Sequence, residues 1–371
     1  MTKILFLINN LGQGGAEKVL VNLVSGLNPQ KYDITVMTVC NEGVNCHFLP
    51  KGVKYRYVFP FHVPKCFEFF KLFSPKLLHR LFIKEKYDIE AAYLQGPCGR
   101  IVAGCQNRDT KLIAWIHGTK KDKKTGSQGF RSFGEAKKIY QKFTKIVCVS
   151  RSVKEAFDSV FHTEDKTVVL YNVNQTEKIK KLSEEQTDIS FSENEFSIIT
   201  AGSLIPVKGF DRLIRVQKKL LSQGYCTHIY ILGKGSDGNK LEALAQKEGV
   251  SQKVTFLGYR ENPYAYIAKA DLYVCSSYTE ALSTSVTEAM ILGLPTVTCD
   301  CSGMKEILGD NQAGLIAEND ENALYKGIKY VLDNREILDY YRENAKKRAV
   351  DFEENTILKA HEELFDRIIN I

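Results

Sequence analysis

Short apolar runs alternate with amphipathic stretches along the chain. Residues 4–8 are followed by an amphipathic segment over 16–26 and then by a second apolar run over 34–39. Runs at 111–116 and 146–149 carry the rhythm through the middle. Others at 197–200, 229–232, 254–256, 271–275 and 295–298 repeat it in the second half. Unbroken apolar runs suit strands covered on both faces, and the amphipathic segments between them supply the covering helices. The pattern therefore predicts an α/β protein with a doubly wound parallel sheet, and it predicts that sheet twice. A length of 371 residues agrees, being too great for one ordinary core. The polar, apolar-poor segment 174–194 reads as a linker between domains at 1–173 and 195–352, and 353–371 has the periodicity of a terminal helix.

Charge sharpens this division. The net charge is +7, but residues 1–175 hold 27 Lys and Arg against 14 Asp and Glu, a net of +13, leaving 24 against 30, a net of −6, for the remainder. Much of the basic charge lies in 59–86, where Lys65, Lys71, Lys76, Arg80, Lys84 and Lys86 are interleaved with Phe67, Phe69, Phe70, Phe73, Leu77, Leu78, Leu81 and Phe82. Such a stretch fits a helix lying on an anionic membrane surface, or equally an ordinary helix with phenylalanines in the core and solvated lysines. A second basic cluster is Lys120-Lys121-Asp122-Lys123-Lys124. No nucleic-acid-binding motif accompanies the charge, so no nucleic acid is expected.

No apolar run approaches the roughly 20 residues needed to cross a bilayer. Met1-Thr2-Lys3 before the first apolar run reads as a buried strand rather than an export signal. Ten scattered cysteines without a Cys-x-x-Cys pair read as cytosolic thiols. No metal-ligand spacing occurs, and no metal is expected.

The chemistry concentrates after the run 271–275. Glu280 and Glu288 are separated by seven residues, and Ser283-Thr284-Ser285 between them is good N-cap material for a helix that Gly293 would stop. One carboxylate then precedes the helix and the other lies on its second turn, sharing a face with Thr284. The free amides of a helix start favour an anion, and carboxylates accept hydroxyl protons. The combination suits a sugar nucleotide; two solvated surface glutamates are the plainer reading.

With its surroundings, this segment resembles the E-x7-E signature of the family-four retaining glycosyltransferases of the GT-B fold, the type that builds bacterial surface polysaccharides. Four further stretches match in order. Asn9-Asn10-Leu11-Gly12-Gln13-Gly14-Gly15-Ala16-Glu17-Lys18 resembles the family's glycine loop, and Trp115-Ile116-His117-Gly118 its mid-domain His segment. Ala201-Gly202-Ser203-Leu204-Ile205-Pro206-Val207-Lys208-Gly209-Phe210 resembles its phosphate loop. Ile231-Leu232-Gly233-Lys234-Gly235 and Val254-Thr255-Phe256-Leu257-Gly258-Tyr259 resemble its later strand–turn segments. Many members carry Arg where this chain has Ser203. The Asp-x-Asp metal motif of the other main glycosyltransferase fold is missing.

The resemblance implies two Rossmann-like domains facing a cleft, a terminal helix crossing back to the first domain, and transfer of a hexose or N-acetylhexosamine from a nucleotide sugar, with UDP as the expected nucleotide. Lys208 would meet the donor phosphates with Ser203 and the amides of Leu282, Ser283 and Thr284. Gly14 and Gly15 would approach the leaving group from the other side. Glu288 would hold the ribose, Glu280 and His117 the donor sugar, and Arg260 would border the base. Lys208, Glu280 and His117 form the expected catalytic set, with no cofactor and no metal. The acceptor would be a glycan or a lipid-linked glycan, and the enzyme cytoplasmic, at the inner face of the plasma membrane. A nucleotide-sugar epimerase on the same fold is one alternative. A non-catalytic glycan-binding partner of an active transferase is another, supported only by the missing Arg at Ser203.

Overall fold

A computed structural model describes residues 1–370. Its first unit comprises Met1–Val173 and Glu354–Ile371, its second Asn174–Glu353. In the first unit seven strands run parallel: β1 (Thr2–Ile8), β2 (Tyr32–Cys40), β3 (Lys54–Phe59), β4 (Ile89–Ala92), β5 (Lys111–Ile116), β6 (Lys145–Cys148) and β7 (Thr167–Val169). Their order is β3-β2-β1-β4-β5-β6-β7. The chain thus winds outward from β1 to β3, then returns to the other side of β1 and winds out again. Residues 4–8 are fully buried, as a strand covered on both faces requires.

The terminal helix Glu354–Ile369 belongs to this first unit because its apolar face completes the core. Phe365 meets Phe6, Tyr32 and Trp115 at ring-centroid distances of 6.2, 5.9 and 6.3 Å. The imidazole of His361 lies parallel to Trp115, and Lys31 pairs with Asp366 at 2.6 Å on the rim.

The second unit repeats the plan with β8 (Phe196–Ala201), β9 (Thr227–Leu232), β10 (Val254–Gly258), β11 (Leu272–Cys275), β12 (Thr296–Cys299) and β13 (Leu315–Ala317), all parallel. The order is β10-β9-β8-β11-β12-β13. Leu213, Ile214, Val216 and Leu220 of the helix Phe210–Ser222 bury their side chains against this sheet with Leu324, Ile328 and Val331 of the helix Glu321–Asp333.

Two expectations change here. The segment 174–194 is more than a linker. It carries the helix Thr176–Ser183, whose Ile179 packs with Tyr264 and Ile291, so its one apolar stripe is enough to dock it on the second unit. The stretch 59–86 is not one amphipathic helix. It holds the short helix Cys66–Phe70 and, after a break, the helix Pro75–Phe82, with Ser74 as N-cap and Pro75 at the first position. Its apolar residues divide: Phe70, Leu78 and Ile83 are buried, whereas Phe61, Phe69, Leu72 and Leu81 are 66%, 57%, 71% and 47% exposed. Among the described residues no helix is long and apolar enough to cross a membrane.

Candidate active site

In a doubly wound sheet, ligands bind outside the carboxyl ends of the strands, where the strand order reverses. In the second unit that point lies between β8 and β11, and the loops leaving these strands carry Ser203, Lys208 and Glu280. Pro206–Lys208 forms a single 3₁₀ turn, closed by Gly209 at φ 62°. A Cβ on Gly209 would lie 2.1 Å from the Ser276 carbonyl, so this position combines a left-handed backbone with a close approach. That approach stitches the two loops together. The Tyr278 N–H donates to the Val207 carbonyl at 2.8 Å, and the Ser276 hydroxyl donates to the Lys208 carbonyl at 3.1 Å.

Lys208 and Glu280 meet across this seam. Lys208 Nζ donates to Glu280 Oε1 at 2.7 Å, and the Ser277 hydroxyl reaches the same oxygen at 2.6 Å. Burial works against the Lys208 charge, but the Glu280 carboxylate outweighs it and raises the ammonium above its ordinary value. The cation is therefore fixed in place and charged.

The helix Thr284–Ile291 follows, with Ser283 as N-cap accepting from the Val286 N–H at 3.4 Å. The amides of its first turn have no acceptor within the helix. Glu288 lies inward on its second turn, 4% exposed, and accepts from the Tyr264 hydroxyl at 3.1 Å. Arg260 bonds to the Leu257 carbonyl and pairs with Asp188 at 2.7 Å, beside the ring of Tyr266.

The reversal in the first unit lies between β1 and β4. Gly14 caps the helix Gly15–Gly26, and a Cβ there would lie 2.1 Å from Glu17 Oε2. The Glu17 carboxylate is thus folded over the bare turn and takes a bond from its own backbone N–H. Burial raises its pKa, and that hydrogen bond only partly offsets the rise. The helix start that the resemblance assigns to the leaving group is covered by an acidic group.

His117 leaves the end of β5. Its ring packs on Tyr93 at 4.8 Å. The Gln95 carboxamide, with its oxygen toward the turn, accepts from the backbone N–H groups of His117 and Gly118, both at 3.1 Å. Burial lowers the imidazole pKa to about 3, so the ring is neutral at physiological pH. Its Nε2 is buried and has no hydrogen-bond partner among the described residues. Buried polar atoms are nearly always satisfied, and an orphan calls for an explanation such as a missing ligand.

Sequence reasoning passed over Arg212, the residue that holds the Glu280 loop. Its guanidinium, 1% exposed, donates to the carbonyls of Ser276 at 2.6 Å and Ser277 at 2.5 Å and to Asn319 Oδ1 at 2.9 Å, and packs on Tyr278. An Arg inside a helical pattern gives no sign that it points inward. Tyr264 and Glu17 were passed over too, although Glu17 stands inside the glycine-loop motif.

Comparison with known proteins agrees with this architecture. Residues 13–178 match the family described as Glycosyltransferase Family 4, and residues 183–348 match Glycosyl transferases group 1. An uncharacterized glycosyltransferase of Haemophilus influenzae is 26% identical over 91% of this chain and 92% of its own length. The Campylobacter jejuni N-acetylgalactosamine-N,N'-diacetylbacillosaminyl-diphospho-undecaprenol 4-alpha-N-acetylgalactosaminyltransferase is 31% identical over 52% of each chain. Among solved structures, Anabaena HepE in complex with UDP-glucose superposes with a TM-score of 0.79 at 19% identity, covering 99% of this chain and 100% of that one. With both halves matched by these families and both sheets built to the same plan, the chain belongs to the family-four glycosyltransferases of the GT-B fold.

Proposed function

We propose that this glycosyltransferase moves a hexose or N-acetylhexosamine from a UDP-sugar to a glycan or lipid-linked acceptor in cell-surface polysaccharide synthesis, with retention of configuration. The observation that carries the proposal is the charged Lys208, fixed by Glu280 beside the strand-order reversal of the second unit. As the bond from the anomeric carbon to the diphosphate breaks, negative charge builds on the leaving oxygen. A preorganised cation and the amides of Leu282, Ser283 and Thr284 stabilise it, with the Ser203 hydroxyl in place of the more usual Arg. The acceptor oxygen bonds to the same carbon from the same face, and its proton passes to the departing phosphate. No metal and no side-chain nucleophile is needed in this scheme. The Campylobacter relative is named for transfer of an N-acetylhexosamine to a diphospho-undecaprenol-linked glycan, and HepE was crystallised with UDP-glucose; both support the substrate class.

In this reading Glu280 exchanges part of its bond to Lys208 for hydroxyls of the donor sugar, Glu288 with Tyr264 receives the ribose, and Arg260 borders the base. His117 offers its unpartnered Nε2 to a hydroxyl of the transferring sugar. A neutral imidazole suits that task and would not suit a phosphate. Gly14 and Gly15 contact the leaving group only if Glu17 is protonated or swings away. The exposed Phe61, Phe69, Leu72 and Leu81, with Lys65, Lys76 and Lys84 in the same stretch, support a reading in which the enzyme works against an anionic leaflet at the inner face of the plasma membrane.

The test is a panel of UDP- and GDP-sugars incubated with the full chain and a membrane lipid extract, followed by free nucleotide. Release that needs one donor and the extract supports the proposal, and the anomeric coupling of the product reads the stereochemistry. Conversion of donor to an isomer without release would make the protein an epimerase. UDP binding without turnover would make it a non-catalytic partner. A covalent glycosyl-enzyme would overturn the same-face route.

A further inference from the structure

We propose that the first unit holds a structural metal site for Zn²⁺ or a similar late first-row divalent ion, formed by His79, Glu90 and Cys105. The three come from separate elements: His79 from the helix Pro75–Phe82, Glu90 from the central strand β4, and Cys105 from the turn after the helix Pro97–Val102. Their ligand atoms all lie within 4.8 Å of one another. His79 Nε2 is 2.9 and 3.1 Å from the two oxygens of Glu90. Tetrahedral Zn²⁺ with bonds of about 2.0 Å to nitrogen or oxygen and about 2.3 Å to sulfur needs ligand separations of about 3.3–3.5 Å, within reach of small side-chain rotations.

The donor set has the chemistry of that ion. Imidazole nitrogen, thiolate sulfur and carboxylate oxygen together suit Zn²⁺, and Mg²⁺ or Ca²⁺ would take oxygen alone. Glu90 is 2% exposed in the middle of the sheet. Among the described residues its carboxylate receives hydrogen bonds from His79 Nε2 alone. A buried carboxylate with two oxygens on one nitrogen is poorly satisfied, and a dication would satisfy it better. Access remains, since His79 and Cys105 are only half-buried.

The backbone is shaped for this meeting. A Cβ on Gly104 would lie 2.0 Å from the Pro75 carbonyl and 2.8 Å from the Cβ of His79. Only glycine lets this turn pack so tightly on the helix Pro75–Phe82, and the contact sets Cys105 beside the imidazole. Glu90 is the second residue of β4, whereas the candidate catalytic groups of this unit follow the carboxyl ends of β1 and β5. The ion would therefore clamp helix, strand and turn together, with water as its fourth ligand. Binding would release the protons of the His79 ring and the Cys105 thiol.

The experiment is a Co²⁺ titration of the reduced full chain, read as thiolate-to-cobalt charge-transfer absorbance, with Zn²⁺ competition and thermal melting alongside. One Co²⁺ per chain is expected, displaced by Zn²⁺, with a saturable rise in Tm on adding Zn²⁺. Cys105→Ser and His79→Gln should each abolish the band, the latter keeping a donor to Glu90 so that the fold survives. Cys226→Ser, removing an exposed cysteine elsewhere, should leave it intact. A band that persists in Cys105→Ser or His79→Gln, or no band and no Tm response in the unmodified chain, would overturn the site and leave a His–Glu ion pair.

Discussion

Each sheet has one place where the chain reverses its direction of winding, and the two places carry different electrostatics. In the second unit the loops after β8 and β11 hold a charged lysine against a carboxylate, beside a capped helix start. In the first unit the loop after β1 opens a helix start covered by a carboxylate whose pKa is raised, and the loop after β5, the strand next to β4, offers a neutral imidazole. The same topology thus serves two kinds of recognition. Under the proposed function, the second unit would take the anion and the first the uncharged hydroxyls. Fold alone did not decide this; the side chains near each reversal did.

The comparison breaks most sharply at Lys208. Lys208→Met removes the cation and leaves Glu280 without its partner, so nucleotide release should fall by about 10²–10³-fold, the usual loss when one preorganised charge-stabilising donor goes. Steady-state kinetics with the best donor of the panel would measure it. Glu288→Ala should weaken donor binding and turnover together by about 10–100-fold, the range for hydrogen bonds to a charged group. Calorimetry with UDP would read the binding part. Tyr264→Phe deletes only the hydroxyl that orients Glu288, so it should follow the same direction by less than about tenfold. An equal or larger loss would mean that Tyr264 meets the donor itself.

The smallest effect concerns the first unit and pH. The folded pKa of His117 is about 3, well below that of an imidazole in an unfolded chain, about 6.5. Between those values the unfolded chain binds the extra proton. His117 therefore costs stability as pH falls from about 6.5 toward about 3 and costs nothing above that window. Denaturant melts across this range should show a flatter acid limb for His117→Gln than for the unmodified chain. The pH–rate profile should show no His117 limb between about pH 5 and 8, since the ring stays neutral throughout.

Much of this was legible in the sequence where burial is uniform. The central strands, such as β1, β5 and β9, are continuous apolar runs and were visible as such. Four strands were not. β3 reads Lys-Tyr-Arg-Tyr-Val-Phe because it is a half-exposed edge, and β4 reads Ile-Glu-Ala-Ala because a buried Glu and two alanines break the apolar signal. β7 and β13 have three residues each, too short to show a period. The helix Thr284–Ile291 with Glu288 on its second turn was readable, because Ser283 is a cap and Gly293 a stop. The contact of Lys208 with Glu280 was not, since it joins residues 72 apart. Arg212, the Glu17 carboxylate over the glycine turn, and the His79, Glu90 and Cys105 cluster were hidden for the same reason. Side-chain direction and long-range contact leave no mark in spacing.

The most direct test of the central claim compares UDP with uridine by calorimetry, in the unmodified full chain and in Lys208→Met. If the second unit is the anion-binding half and Lys208 its cation, UDP binds the unmodified chain far more tightly than uridine, and Lys208→Met loses most of that difference. Undiminished preference for UDP in Lys208→Met would show that the diphosphate is held elsewhere and would contradict the account.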